Sequence, residues 1–106
     1  MPFLELAKIA PREILPGCRA RLLHSQHLTF AFWELDAGAI IPEHSHLHEQ
    51  VATMLAGEME LALAGETKLV LPGQVAVIPP HTKHAVRAET ACRVLDVFYP
   101  IRDDYR

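Results

Sequence analysis

Short segments of β-strand composition, separated by Gly and Pro turns, recur along this 106-residue chain and constrain its fold more than any other feature. We predict strands over residues 19–23, 27–35, 51–55, 58–63, 68–71, 74–78, 84–87 and 92–99. Turns are predicted at Gly38, at Ala64-Gly65 and at Pro72-Gly73, where Pro and Gly suit a type II turn. Because no stretch has an amphipathic helical period, the pattern predicts an all-β sandwich or barrel.

The size and charge of the chain exclude several classes of protein. We predict one domain over residues 1–106, because this length supports a single core. Half of the residues are apolar and 22% are charged, which is typical of a folded chain. The formal net charge is −3 and no run of Lys or Arg occurs, so we expect no nucleic-acid partner. The longest apolar run is far below the ~20 residues of a transmembrane helix, so we expect no membrane span.

The two cysteines, Cys18 and Cys92, lie far apart in sequence and form no C-x-x-C pair. Residues 1–10 contain Glu5 and Lys8, which do not fit a hydrophobic signal segment. We therefore expect reduced thiols and a cytoplasmic protein, with a disulfide as the alternative.

Residues 1–17 contain three of the eight prolines and little periodicity. We predict that they begin as an N-terminal arm that packs on a neighbouring sheet. The arm carries apolar Phe3, Leu4 and Leu6, and a small open barrel leaves sheet edges to cover. These features favour a homodimer.

Three of the seven histidines, His44, His46 and His48, lie within five residues and are followed by Glu49 and Gln50. In an extended strand, His44 and His46 share a face and lie about 6.6 Å apart along the backbone, which allows both imidazoles to reach one metal ion. The cluster is internal and joins two apolar segments, whereas a histidine tag left from purification would lie at a terminus. Imidazole is the commonest transition-metal ligand, so the cluster indicates a metal site, with a histidine-rich surface loop as the alternative.

A second stretch, residues 73–84, brings His84 after a predicted strand and a rigid Pro-Pro corner. Together with residues 38–57 it resembles the two sequence motifs of the cupin superfamily. The first motif matches at Gly38, His44, His46 and Gly57, with Gln50 in place of the usual glutamate. The second motif matches at Gly73, Pro79 and His84, whereas His81 replaces the usual glycine and the final asparagine is absent.

This resemblance implies a small jelly-roll (cupin) double-stranded β-barrel with an N-terminal arm. It brings together four candidate metal ligands, His44, His46, Gln50 and His84. Such donors suit one divalent transition ion, Zn, Ni, Fe, Mn or Cu, better than Mg or Ca. Because all four are neutral, the ion keeps its full charge and favours an anionic substrate. We expect His48 at the rim of the barrel, with a role as a fifth metal ligand as the alternative.

Asp96 interrupts an apolar C-terminal strand, in which parity places it on the same face as Phe98. A carboxylate in such a strand is rarely buried without a reason. Two interpretations stay open. Asp96 forms an ion pair with Arg102 or Arg87 at the barrel mouth, or it has a catalytic role.

The segments HSHLHEQ, IPPHTKHA and LDVFYPIRDDY resemble the KdgF-type cupins, small proteins of pectin and alginate breakdown. The resemblance implies metal binding by three histidines and one glutamine, and catalytic residues at Asp96, Phe98 and Arg102. The implied activity converts 4,5-unsaturated monouronates, a class of sugar acid, into linear ketonised sugar acids. Ala52 and Met54 replace the more polar or aromatic lining expected of that family. A metal-dependent dioxygenase and a non-catalytic cupin that binds metal and a sugar acid are the alternatives.

Overall fold

The computed structural model describes residues 3–106, which form ten β-strands. In chain order these are β1 (Arg12–Leu15), β2 (Cys18–His24), β3 (Thr29–Leu35), β4 (Ile40–His44), β5 (Glu49–Ala56), β6 (Met59–Leu63), β7 (Glu66–Val70), β8 (Val75–Ile78), β9 (His84–Ala88) and β10 (Cys92–Tyr99). Short 3-10 turns occur at Leu6–Lys8 and Asp103–Tyr105. Within the described residues, no helix has the length and apolar character needed to span a membrane.

The strands form two antiparallel sheets that share one core. The six-stranded sheet has the order β1-β2-β3-β10-β5-β8, and the four-stranded sheet has the order β4-β9-β6-β7. The all-β prediction is therefore confirmed. Over residues 3–106 strand pairing does not join the two sheets into a closed barrel, so the arrangement is a two-sheet jelly-roll sandwich.

The positions of most strands agree with the sequence prediction, and the strand over residues 92–99 has the predicted bounds. Two strands were missed. β1 lies inside the predicted arm, where it pairs with β2 and its Ile14 and Leu15 pack against the core. β4 contains Pro42, which argues against a strand, but a register shift between Ile41 and His44 accommodates it. The first two residues of the predicted arm lie outside the described residues.

Two of the predicted turns have the backbone conformations that their residues favour. Ala64 and Gly65 both have positive φ values, 50° and 82°, as a two-residue hairpin loop between β6 and β7 requires. Gly73 has a φ of 84°, and the N–H of Gln74 donates to the carbonyl of Leu71 at 3.0 Å. These turns fix the register of the neighbouring strands, so local sequence sets the alternation of side chains in them.

The inner faces of both sheets are buried against each other. In β10 the inward residues Val94, Asp96 and Phe98 are 3%, 7% and 1% exposed, which confirms the predicted parity. Trp33 also lies in this core. Cys18 and Cys92 are both buried and unpaired in the described part of the chain, in agreement with the expected free thiols.

Candidate metal centre

Three histidines converge between the two sheets. His44 ends β4, His46 lies in the loop that follows, and His84 begins β9 directly opposite His44 in the ladder. Their ring centroids are 4.2–5.7 Å apart, and one ring nitrogen of each lies within 4.8 Å of the others. The three imidazoles can therefore hold a metal ion, as the spacing of the two motifs predicts.

The backbone orients each of the three rings in the same way. In each ring Nδ1 lies next to a backbone carbonyl oxygen. The Nδ1 atom of His44 is 2.8 Å from the carbonyl of Pro42, and that of His46 is 3.0 Å from the carbonyl of His48. The Nδ1 atom of His84 is 2.8 Å from the carbonyl of Thr82. A neutral imidazole that donates Nδ1–H to a carbonyl carries its lone pair on Nε2. Because all three rings share this tautomer, three Nε2 lone pairs are available to one ion, and the carbonyls fix the ring orientations.

Burial favours the neutral form of two of these imidazoles, His46 and His84. Desolvation lowers the pKa of His46 to about 4, and it also lowers the pKa of His84. The Nε2 atom of His84 is buried and has no hydrogen-bond partner among residues 3–106. A buried lone pair without a partner is costly, and a cation between the rings would satisfy it. The donor set therefore fits a transition-metal ion.

Gln50 places its side-chain oxygen beside the same group of atoms. It lies at the start of β5, and its Oε1 is 3.1 Å from Nε2 of His46. Since Nδ1 of His46 carries the ring proton, both of these atoms present lone pairs. Two lone pairs at this distance repel each other. A cation bound by both atoms would remove the repulsion, and so would a flipped Gln50 amide that donates its N–H to the ring.

Asp96 is buried on the inner face of β10, opposite Ala52 of β5. Desolvation raises the pKa of this carboxyl to about 7, and the nearby Gln50 amide, Trp33 indole and Arg102 charge offset only part of the increase. Its Oδ1 atom has no hydrogen-bond partner within the described chain. A carboxyl group with this pKa can both accept and donate a proton near neutral pH.

Neither predicted ion pair of Asp96 is present in the described residues, so that interpretation is wrong. Arg102 pairs instead with Asp104, at 2.6 Å and 3.2 Å. Arg87 pairs with Glu60 and Glu89 on the outer surface of the other sheet. The charge of Arg102 lowers the pKa of Asp96 only from a distance.

Arg102 is held between two aromatic rings at the wall of the cavity that contains Asp96. Its guanidinium carbon lies 4.8 Å from the ring centroid of Phe98 and 4.0 Å from that of Tyr105. Its backbone N–H donates to Oγ1 of Thr29 at 2.9 Å. Sequence reasoning missed Tyr105 as part of this site. The sequence did contain a signal for Tyr105. It is an aromatic residue three positions after a candidate arginine, in a C-terminal tail that must fold back.

His48 does not lie at the rim, and that prediction is wrong. The side chain is 8% exposed, and its Nε2 is 3.3 Å from the carbonyl of Ile101 in the C-terminal segment. Its ring also packs edge-on against Phe98, with centroids 6.4 Å apart. His48 therefore connects the loop between β4 and β5 to the C-terminal segment that carries Arg102. This loop bends, so the position of His48 does not follow the alternation of a strand.

The backbone at His81 also supports the histidine loop. His81 has a positive φ of 61°, and its N–H donates to the carbonyl of His46 at 2.7 Å. The side chain of His81 is exposed. The contribution of this residue in the structure is therefore a backbone contact to the loop.

Comparisons with known proteins agree with this fold and site. A family model described as a cupin domain matches residues 31–98. The structure of KdgF from Halomonas sp. is 30% identical with a TM-score of 0.92, over 100% of this chain and 99% of that chain. An RmlC-like cupin from Shewanella frigidimarina is 26% identical with a TM-score of 0.95, over 100% and 96%. A comparison with curated proteins found no significant match.

The chain therefore belongs to the cupin family. Its full-length match to KdgF supports assignment to the small single-domain cupins of the KdgF type, as the sequence motifs indicate. Ectoine synthase from P. lautus is 23% identical with a TM-score of 0.82, over 94% of this chain and 78% of that chain, and shows the shared fold alone.

Proposed function

We propose that this cupin is a metal-dependent enzyme that converts 4,5-unsaturated monouronates into linear ketonised sugar acids. One observation supports the proposal: a buried carboxyl group, Asp96, lines the same cavity as His44 and His84, two of the three candidate metal ligands, and Arg102. The similarity to KdgF supports a protein of this type. The substrate class follows from the resemblance of the C-terminal motif.

In this proposal His44, His46, Gln50 and His84 bind one divalent ion, which is Zn, Ni, Fe, Mn or Cu. A bound ion would supply Lewis-acid chemistry by polarising oxygens of the sugar acid. The four donors are neutral, so they leave the charge of the ion uncompensated. An anionic substrate fits this electrostatic environment better than a neutral one.

Asp96 moves the proton in this proposal. Conversion of an unsaturated, enol-like sugar acid into a ketone requires a proton to reach carbon and another to leave oxygen. A carboxyl with a pKa of about 7 exists in both protonation states near neutral pH, so it can act as general acid or general base. Its burial excludes bulk water from the transfer.

Arg102 binds the carboxylate of the substrate. Asp104 accepts hydrogen bonds from Nε and Nη2, which leaves the Nη1 edge for a second anion. The rings of Phe98 and Tyr105 fix the plane of the guanidinium, so that edge keeps one orientation. Phe98 also packs against His46, with centroids 5.7 Å apart, and thus forms the wall between the carboxylate site and the metal site.

The test is consumption of an unsaturated monouronate by purified protein with a measured metal content. We expect loss of the ultraviolet absorbance of the conjugated double bond and formation of a linear keto acid. The metal-free protein should be inactive, and activity should return with metal. Full metal occupancy without consumption of the uronate would reject the activity. Oxygen uptake with iron or copper would instead identify a dioxygenase, and binding without turnover a binding protein.

Two further expectations stay predictions. The protein is proposed to act as a homodimer on a small anionic substrate. A cytoplasmic location is expected from the sequence. Sedimentation or light scattering tests the first, and cell fractionation tests the second.

A further inference from the structure

The C-terminal segment that carries Arg102 has little regular structure of its own. After β10 ends at Tyr99, the chain forms one 3-10 turn at Asp103–Tyr105 and pairs with no strand in the described residues. A single helical turn is unstable in isolation, because its formation fixes several dihedral angles for one hydrogen bond. The position of Arg102 therefore depends on contacts from other parts of the fold.

Two polar side chains of the six-stranded sheet contact this segment through a continuous chain of hydrogen bonds. The backbone N–H of Arg102 donates to Oγ1 of Thr29 at 2.9 Å. Nδ1 of His24 lies 2.8 Å from the same Oγ1, and Nε2 of His24 lies 3.3 Å from the carbonyl oxygen of Tyr105. The bonds thus connect the N-cap of the 3-10 turn to its last residue. We call Thr29 and His24 the tail clamp.

The donor and the acceptor in each bond follow from the chemistry of the groups. A backbone N–H can only donate, so Oγ1 of Thr29 accepts from Arg102. A carbonyl oxygen can only accept, so Nε2 of His24 carries the ring proton that bonds Tyr105. In this neutral tautomer Nδ1 has a lone pair, which accepts the hydroxyl proton of Thr29. One tautomer therefore satisfies every polar side-chain atom of the tail clamp.

Strand register places the tail clamp beside the proposed active site. One row of paired residues crosses the sheet through His24 of β2, Thr29 of β3, Phe98 of β10 and Gln50 of β5. The row therefore leads from the tail clamp to a candidate metal ligand. Thr29 is fully buried, so loss of its hydroxyl would leave the N–H of Arg102 without a partner in a place that water does not reach.

The tail clamp also fixes one of the two rings that hold the guanidinium of Arg102. Phe98 belongs to β10, whereas Tyr105 belongs to the C-terminal segment and depends on it for its position. The carbonyl of Tyr105 also accepts a hydrogen bond from Nη1 of Arg12 at 3.0 Å, so β1 and β2 both hold this end. Movement of the segment would remove the backbone anchor of Arg102 and the ring of Tyr105 together.

We propose that Thr29 and His24 are positioning residues, which hold Arg102 in the orientation that binds the carboxylate of the substrate. This inference rests on the proposed function, in which Arg102 binds the uronate carboxylate. Neither side chain needs to touch the substrate, because both act through the backbone of the C-terminal segment. A looser segment lets the guanidinium adopt orientations that miss the carboxylate. The affinity for the substrate then falls, while proton transfer by Asp96 continues in the bound complex.

Thr29→Val tests the tail clamp, because valine keeps the β-branched shape and removes the hydroxyl group. At equal metal content, we expect KM for the unsaturated uronate to rise about tenfold and kcat to stay within about twofold of wild type. Thr29→Ser keeps the hydroxyl group and should keep a KM within about twofold of wild type. An unchanged KM in Thr29→Val would overturn the proposal, and so would a loss confined to kcat.

His24→Phe tests the second member of the tail clamp, because it keeps a planar ring and removes both ring nitrogens. We expect the same pattern as in Thr29→Val, with a raised KM and a retained kcat. His27→Phe is the matched control, because His27 is an exposed histidine in the connection between β2 and β3. Equal KM values for His24→Phe and His27→Phe would remove His24 from the tail clamp.

Hydrogen exchange measured by NMR tests the position of Arg102 without substrate, in protein supplied with diamagnetic Zn²⁺. The backbone N–H of Arg102 reports its bond to Thr29, and its Nε–H reports the guanidinium, which bonds Asp104 at 3.2 Å. In Thr29→Val both protons should exchange about tenfold faster or more. The amide of Ala88, which donates to Ala39 at 2.9 Å, should keep its rate and thereby exclude general destabilisation.

Unchanged exchange at Arg102 in Thr29→Val would overturn the proposal, and so would an equal acceleration at Ala88. These rates do not depend on turnover, so failure of the positioning role is distinct from failure of the proposed activity. A wild type that does not consume the uronate would reject the activity, and the exchange rates would still decide whether Thr29 holds Arg102 in place.

Discussion

Arg102 forms a bidentate ion pair with Asp104, and among residues 3–106 this pair leaves the buried carboxyl of Asp96 without a cationic partner in direct contact. The side chain of Arg102 is 11% exposed, whereas that of Asp104 is 58% exposed. The neighbouring guanidinium also lowers the pKa of Asp104, so this carboxylate stays ionised and keeps Arg102 oriented. The structural role of the arginine and the chemical role of Asp96 can therefore be tested separately.

Asp96→Asn should reduce turnover of the unsaturated uronate by about 10²-fold or more, because an amide cannot exchange the proton. The thermal stability should not fall and the metal content should be retained, since the substitution has nearly the same volume and breaks no ion pair. Asp103→Asn, an exposed position whose side chain forms an ion pair with Arg106, is the matched control and should keep wild-type turnover. Uronate consumption and melting temperature are measured at equal metal content. An Asp96→Asn protein with the wild-type rate would remove Asp96 from the mechanism.

Asp96 should also make the metal-free protein less stable as the pH rises from about 4 to 7. The carboxyl titrates near 3.8 in the unfolded chain and at about 7 in the folded protein, so in this interval the folded state holds one more proton. The free energy of unfolding then falls by about 1.4 kcal/mol per pH unit from this group and levels off above pH 7. The stabilisation is fully present only below the unfolded pKa.

Urea denaturation in the presence of a chelator, at several pH values from 4 to 8, measures this effect. His46 and His84 have lowered pKa values and therefore act in the opposite direction below about pH 6.5. Both histidines are common to wild type and Asp96→Asn, so the difference between the two proteins isolates Asp96. Parallel pH profiles for the two proteins would show that the folded pKa of Asp96 is not raised.

The strands and turns were predictable where local sequence agrees with the final structure. β10 alternates strictly, and Ala64-Gly65 and Pro72-Gly73 are residues that their turns require. β4 was not predictable because Pro42 contradicts a strand, and only the register shift next to it makes the proline tolerable. A register shift depends on the partner strand β9, whose paired residues lie forty or more positions away in sequence.

The imidazoles of the candidate metal site were predictable from the spacing of His44, His46 and His84. The partner of Arg102 was not, because the choice among nearby carboxylates depends on how the tail folds after β10. The 3-10 turn at Asp103–Tyr105 brings Asp104 and Tyr105 back onto the arginine, and three residues are too few to show a period. The buried position of His48 was missed for the same reason, since its loop has neither strand nor helix periodicity.

The metal site should hold one ion per chain and should lose it in His84→Ala. This substitution removes the Nε2 atom that has no other hydrogen-bond partner in the described residues. His27→Ala is the matched control, because His27 is an exposed histidine outside the site. Elemental analysis after purification and dialysis measures the content. Full occupancy in a double His44→Ala, His84→Ala variant would place the metal elsewhere.

Gly57 should be far less tolerant of a methyl group than Gly65, although both have the same backbone conformation, with φ values of 79° and 82°. An alanine at either position costs about 1–2 kcal/mol for the left-handed conformation. At Gly57 the new Cβ atom would also lie 2.1 Å from the carbonyl oxygen of Ala91, whereas at Gly65 it meets nothing within 4 Å among the described residues. The backbone must move to relieve this overlap, which adds about 1–3 kcal/mol. Urea denaturation of Gly57→Ala and Gly65→Ala measures the difference, and equal losses of stability would show that Gly57 serves only as a turn residue. The predicted difference would assign this glycine of the first motif to the close packing of β5 and β6 against the start of β10.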